Sequence, residues 1–345
     1  MKSTTLTFDS HCHDALETPP LNTDKEFLYL VQTESCLPAY LAEPNLLGNS
    51  SACKCDVLVL SYKVVCEQGA KLHHIQYLYG PNTTWTSGRN VLFRLSRTRN
   101  ATYRYYIFVD DDIRLQYNPY AAKPVTNQPE LRTFENFLLE IEPAVGCVNY
   151  VTHRPATYIR TIRQHCLNKP DLSLLPMVHF DPILNAFHRD AYSHLLPYVE
   201  DYDQECWWHP HRFVTIGIEV KFRGQAVMYP GITILNLSHR NYPSNNTRET
   251  EVVQTGIAKE LARLPAERYR DHFALKQFKA DPSRYTLGYS PTTCMDVIPH
   301  QQIKPYSHFE EFPLRDFKSL ADVFNETSLR IAMDELQQHL YDLHY

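Results

Sequence analysis

Five apolar or aromatic residues, Tyr105-Tyr106-Ile107-Phe108-Val109, run without a break into three carboxylates, Asp110-Asp111-Asp112. An uninterrupted run of this kind, with two β-branched members, reads as a strand buried on both faces. Open α/β sheets bind their ligands beyond the carboxyl ends of the strands, and the three Asp fall there. Adjacent anions repel one another, so the group is best tolerated where a cation neutralises it. On an extended backbone, alternation puts Asp110 and Asp112 on one side and Asp111 opposite. That is a two-carboxylate oxygen site, suited to Mg²⁺ or Mn²⁺ carrying a diphosphate. The plain alternative is a solvated acidic turn after a core strand.

The rest of the chain alternates in the same way. Strands are expected at Phe27–Val31, Asp56–Tyr62 (the first central strand), Ile75–Tyr79, Ala144–Tyr150 and within Asp181–His188. Two further short strands are expected at Gln225–Met228 and Ile232–Leu235, with Pro38–Cys55 as a loop. Thr86 or Ser87 can cap a helix through about Arg99, and Thr133 a short helix from Phe134 to Ile141. Further helices are expected at Arg189–Leu196, over 208–223, at Ala258–Phe278 with a break at Pro265, and at Ser328–Leu343. Strands alternating with helices imply a mainly parallel sheet covered on both faces. Residues 1–24, rich in Ser, Thr, His and Pro, read as poorly ordered.

At 345 residues with 43% hydrophobic content, the chain can build one large α/β domain or two ordinary ones. A net charge of −5 without a long basic run argues against a nucleic-acid partner. No apolar run approaches the roughly 18 residues that a membrane-spanning helix needs. Six Asn-x-Ser/Thr sequons stand at Asn49, Asn82, Asn100, Asn236, Asn245 and Asn325, where chance predicts roughly two. Nine Cys occur, none in the paired spacing of a zinc site, and Cys53 and Cys55 read as too close for an easy bond to each other. Sequons and cysteines together point to a Golgi or ER lumen or a secreted protein, with a cytosolic setting as the alternative.

The segment Trp85-Thr86-Ser87-Gly88-Arg89-Asn90, followed by the strand ending in Asp110-Asp111-Asp112, resembles nucleotide-sugar glycosyltransferases of the GT-A fold. In those enzymes a Gly-Arg-Asn helix start precedes a strand that ends in a D-x-D motif. The resemblance runs over residues 55–245 and includes the strand Asp56–Tyr62. It implies a Rossmann-like three-layer α/β/α sandwich with a mainly parallel central sheet. The catalytic domain would span 25–245, and 246–345 would be a helical and loop extension packed on it. It further implies a UDP- or GDP-sugar donor, Mn²⁺ or Mg²⁺ as cofactor, and a glycan, glycoprotein or glycolipid acceptor.

By that resemblance Asp110 and Asp112 are metal ligands, and His239, after the strand Ile232–Leu235, is the further ligand. Arg89, at a helix start that suits anions, contacts phosphate or the triad. Asp111 and Arg240 are donor-binding candidates. In an inverting reaction an acceptor hydroxyl needs a base. The stretch Glu200-Asp201-Tyr202-Asp203-Gln204-Glu205 offers four carboxylates, with Asp203 and Glu205 leading and Asp181 a weaker candidate. Trp207 or Trp208 can form a stacking wall for a sugar ring. Two other classes compete: a non-catalytic glycan- or nucleotide-binding protein, and a metal-dependent phosphohydrolase, which the Ile113-Arg114-Leu115 that follows the triad disfavours.

Overall fold

The structure is a computed structural model that describes residues 25–67, 72–99, 102–118, 128–150, 175–176, 180–222, 225–238, 243, 245 and 247–262. Among them are nine strands: β1 (Phe27–Thr33), β2 (Cys55–Ser61), β3 (Ile75–Tyr79), β4 (Tyr105–Asp110), β5 (Ile113–Tyr117), β6 (Val145–Tyr150), β7 (Leu175–Pro176), β8 (Leu184–His188) and β9 (Ala226–Asn236). The helices are α1 (Ser50–Cys53), α2 (Trp85–Thr98), α3 (Glu130–Ile141), α4 (Arg189–Leu195), α5 (Trp208–Lys221) and α6 (Glu249–Ala262). All nine strands join one sheet in the order β3-β2-β1-β4-β8-β6-β9-β5, with β7 on β9. The four strands β3, β2, β1 and β4 are mutually parallel. β8 inserts antiparallel between β4 and β6.

Alternation along the strands splits the core into two layers. Leu28, Leu30, Tyr106 and Phe108 face one side, packed with Leu92 and Phe93 of α2, Tyr192 of α4 and Val214 and Ile218 of α5. Tyr29, Val31, Ile107 and Val109 face the other, against Phe134, Phe137 and Leu138 of α3 and the 37–47 loop. The fold is therefore an α/β three-layer sandwich of Rossmann type.

The chain runs outward from β1 to β2 and β3, then crosses back through α2 to enter on the other side of β1 as β4. The strand order reverses between β1 and β4, which makes their carboxyl ends a topological switch point. Gln32 and Asp110 are partners in register at that point.

Several boundaries differ from expectation, each for a local reason. α2 starts two or three residues earlier, because the Thr84 side chain accepts from the Ser87 N–H and forms a capping box. α3 opens at Glu130 behind Pro129, and Thr133 is a buried residue of its first turn rather than its cap. Ala226–Asn236 is one strand where two were expected, and its pairing with β6 shifts register between Val148 and Asn149. β2 is an interior strand as expected, paired in parallel with β1 on one side and β3 on the other. α1 interrupts the Pro38–Cys55 loop, and α6 begins at Glu249; the helix expected beyond 262 and the one at Ser328–Leu343 lie outside the described residues.

Cys53 and Cys55 do form a disulfide, contrary to expectation. Lys54 between them takes a left-handed conformation (φ 45°, ψ 42°), which folds the chain back and leaves the two Cα atoms 5.0 Å apart, within bonding range. Cys36–Cys66 joins the loop after β1 to the loop after β2.

Glu135 of α3 is buried under β1, where it accepts from the Tyr29 hydroxyl at 2.5 Å and pairs with Arg132. Burial raises its pKa from 4.5 to about 8, against the opposing pull of Arg132. A carboxyl with a raised folded-state pKa contributes stability that is complete below its unfolded value and is lost as pH rises through about 8. Glu135→Gln is therefore expected to flatten the fall in unfolding free energy between acidic and mildly alkaline pH. Urea denaturation across that window measures the slope, and an unchanged slope would contradict the assignment.

Candidate active site at the β1/β4 switch point

Each residue of the Gly88-Arg89-Asn90 sequence has a distinct physical task. A Cβ on Gly88 would lie 2.1 Å from Gln32 Nε2, so the bare glycine leaves room for the Gln32 carboxamide against α2. Gln32 then donates to the Thr84 carbonyl at 2.8 Å, tying β1 to the start of α2. Asn90 is buried, accepts from the Tyr198 N–H at 2.8 Å and donates to Glu200 Oε1 at 2.7 Å. It thereby fixes the segment that follows α4.

Arg89 is 1% exposed and spans the interior. Its guanidinium donates to Asp110 Oδ1 at 2.6 Å, to the Pro182 carbonyl at 2.9 Å and to the Tyr198 hydroxyl at 3.3 Å. It also lies 4.1 Å from the Trp85 ring centroid and 5.2 Å from that of Phe108. Of the two contacts expected for Arg89, the geometry supplies the one to the triad. Burial disfavours the guanidinium charge, yet Asp110 and the Tyr198 hydroxyl outweigh it and hold the pKa above its ordinary value.

β4 ends at Asp110, and Asp111-Asp112 form a turn into β5. The alternation that would put Asp110 and Asp112 on one face therefore stops at Asp110. Asp110 points to the α2 side and lines a cleft together with Asp111. Asp112 is held from the other direction: its carbonyl accepts from the Leu237 N–H at 2.8 Å and its carboxylate from the Ser238 hydroxyl at 3.3 Å. The strand β5 responsible for this, Ile113-Arg114-Leu115-Gln116-Tyr117, alternates apolar and polar residues, a period-2 signal present in the sequence. His239 and Arg240 lie outside the described residues.

The two candidate bases occupy different places. Asp203 lines the cleft and is 7% exposed. Its Oδ1 accepts from the Thr86 hydroxyl at 2.6 Å, and its Oδ2 accepts from the Thr84 hydroxyl. Glu205 instead pairs with Arg248 at 2.6 Å, toward the start of α6. Asp181 sits behind the triad, where burial and then Asp110 raise its pKa to about 7. The Tyr150 hydroxyl is likewise pushed up, by burial first and then by Asp181, Asp112 and Asp110. Negative charge therefore gathers around the end of β4.

The cleft has a volume of ≈ 230 Å³ and lies over the carboxyl ends of β1 and β4. Gln32 and Asp110 face it from the strands, Thr83, Thr84 and Trp85 from the start of α2, and Trp207 and Pro243 from the far side. Trp207 meets Trp85 edge-on with centroids 6.0 Å apart. His209 and His211 are fully buried on α5. No Lys or Arg is among the described residues that line the cleft, while three Asp are.

Those oxygen donors match a hard divalent cation in chemistry. Among the described residues, however, no group of three His, Cys, Asp or Glu is placed to hold a metal. Gln32 was missed by sequence reasoning; its signal is a polar residue closing an otherwise apolar strand.

Arg89→Met should destabilise the fold by ~3 kcal/mol, the lower end of the range for breaking a buried pair, because the Asp110 side chain is 26% exposed. Arg89→Lys should recover only part of this, since one ammonium cannot reproduce the guanidinium fork. Denaturant titration of the two variants reads the difference, and equal losses would contradict it.

No protein-family model matches the chain, and no curated protein matches it. Among solved structures, S. aureus TarS 1–349 is 14% identical, over 75% of this chain and 73% of that one, with a TM-score of 0.39. GalNAc-T7 with UDP, GalNAc and Mn²⁺ is 9% identical, over 75% of this chain and 52% of that one, with a TM-score of 0.42. The galactosyltransferase LgtC, in complex with donor and acceptor sugar analogs, is 9% identical, over 58% of this chain and 72% of that one, with a TM-score of 0.31.

Proposed function

We propose that the chain is a metal-dependent glycosyltransferase that moves a sugar from a nucleoside-diphosphate donor to a hydroxyl acceptor, with inversion at the anomeric carbon. The observation that carries this is the position of Asp110 and Asp111 in a cleft at the β1/β4 switch point, where open α/β sheets place nucleotides. Residues 25–245 would form the catalytic unit, with 246–345 as an extension on it. The carboxylate-lined cleft repels a bare diphosphate, so the donor needs a cation. Asp110, Asp112 and His239 would hold it. Ser238, the residue before His239, already reaches Asp112, which supports that choice. What a divalent cation supplies there, when bound, is positive charge against the departing diphosphate.

The chain's own residues account for the remaining tasks. Arg89 holds one oxygen of Asp110 and turns the carboxylate toward the cleft. Trp85 and Trp207 offer apolar walls for a sugar ring. Asp203 is the base that takes the acceptor hydroxyl's proton, oriented by Thr84 and Thr86. Glu205, committed to Arg248, is the weaker of the two candidates. Arg240 remains a donor-phosphate candidate. The lumen of the secretory pathway is the proposed location, in keeping with the disulfides.

Turnover of a panel of UDP- and GDP-sugars with Mn²⁺ tests this reading. Asp110→Asn and Asp112→Asn should each lower turnover by ~100-fold or more while the protein stays folded, and a chelator should abolish it. Full activity in either variant would refute the assignment.

Asp203→Asn separates a base from a structural cap. As the base its loss should lower kcat by ~10²–10⁴ and remove the acidic limb of the pH–rate profile. A protein with no transfer to any acceptor, but cation-dependent nucleotide binding that Asp203→Asn leaves intact, would favour the non-catalytic alternative.

A further inference from the structure

We infer that Asn49, Asn82, Asn236 and Asn245 are N-glycosylation sites, and that the last three carry their glycans around the mouth of the cleft. This is independent of the proposed transferase activity. Each of the four heads an Asn-x-Ser/Thr sequence. Asn49, Asn82 and Asn245 are exposed and Asn236 is partly so. In Asn49, Asn236 and Asn245 the side-chain oxygen accepts from the backbone N–H two residues on, at 3.1 Å each. That bond occupies the oxygen and, among the described residues, leaves the amide nitrogen, the atom that would carry the sugar, without a hydrogen bond. Asn82 holds φ 62° in the turn between β3 and α2, a left-handed conformation that Asn tolerates better than other side chains.

Their positions fall into two groups. Asn49 stands just before α1, at the amino ends of the strands and away from the cleft. Asn82 immediately precedes Thr83 and Thr84, which line the cleft. Asn236 is two residues before Ser238, whose hydroxyl reaches Asp112. The Asn245 N–H donates to the Glu205 carbonyl at 3.1 Å, two residues after the cleft-lining Pro243. Glycans at these three would stand over the lip and limit the approach of bulky molecules.

The disulfides Cys36–Cys66 and Cys53–Cys55 are in keeping with maturation in an oxidising compartment, where the reagent for this modification is found. The reagent class is a polyprenyl-diphosphate-linked oligosaccharide. The step joins the Asn amide nitrogen to the anomeric carbon of the oligosaccharide. It breaks that carbon's bond to the diphosphate oxygen and releases the nitrogen's proton.

The test expresses the full chain behind a cleavable secretion signal in a cultured eukaryotic host. The purified protein is treated with an amidase that leaves Asp wherever an Asn carried a glycan, and its peptides are read by mass. Asp at all four positions is the expected result. Unmodified Asn at 82, 236 and 245 in folded, secreted protein would overturn the proposal. Asn82→Gln, Asn236→Gln and Asn245→Gln should each remove one glycan's mass, and a variant that is secreted with its mass unchanged argues against that site even where another fails to fold. Because the readout is mass, a failed transferase assay leaves this result standing, and the reverse also holds.

Discussion

The buried pair between Arg89 and Asp110 is the interaction on which the site depends. A guanidinium taken out of water costs several kcal/mol unless its donors are matched and its charge is met. Here Asp110, the Pro182 carbonyl and the Tyr198 hydroxyl receive its protons, while Trp85 and Phe108 lie against it. The arrangement links α2, β4 and the segments before β8 and after α4. It also helps to fix the direction of the Asp110 carboxylate. The same charge that secures the interior therefore prepares the surface.

Around that pair the fold converges on one place. The reversal of strand order between β1 and β4 opens a crevice, and Gly88 leaves room for the Gln32 carboxamide against α2. Asn90 and Asp203 then tie the 198–205 segment to the start of α2 from two directions. The Cys36–Cys66 disulfide joins the loops that leave β1 and β2, and Tyr62, at the base of the second loop, lines the crevice. An anionic cleft framed by aromatic rings and closed by tertiary bonds is suited to a cation-borne ligand with an apolar ring face.

Much of the architecture was legible because it follows from uninterrupted apolar runs. Phe27–Val31, Val57–Leu60 and Tyr105–Val109 are each buried on both faces, and each was recognisable as a strand. The switch-point location of the acidic turn followed from the same rule. What escaped was decided by contacts between segments far apart in sequence. Thr84 caps α2 in place of Thr86 because its hydroxyl serves both Ser87 and Asp203. The Cys53–Cys55 bridge depends on the left-handed backbone of Lys54, which residue spacing does not reveal. The two short strands expected over 225–235 are one, whose pairing with β6 runs on through a shift of register. Asp203 and Glu205 looked alike in sequence; only the tertiary partners Thr86 and Arg248 separate them.

The central claim is that carboxylates at the end of β4 accept a diphosphate only through a cation. Calorimetric titration of the full chain with a nucleoside diphosphate, with and without Mn²⁺, addresses it directly. The account predicts binding that needs the metal and weakens by about tenfold or more when it is withheld. Equal affinity in the presence of a chelator would contradict it.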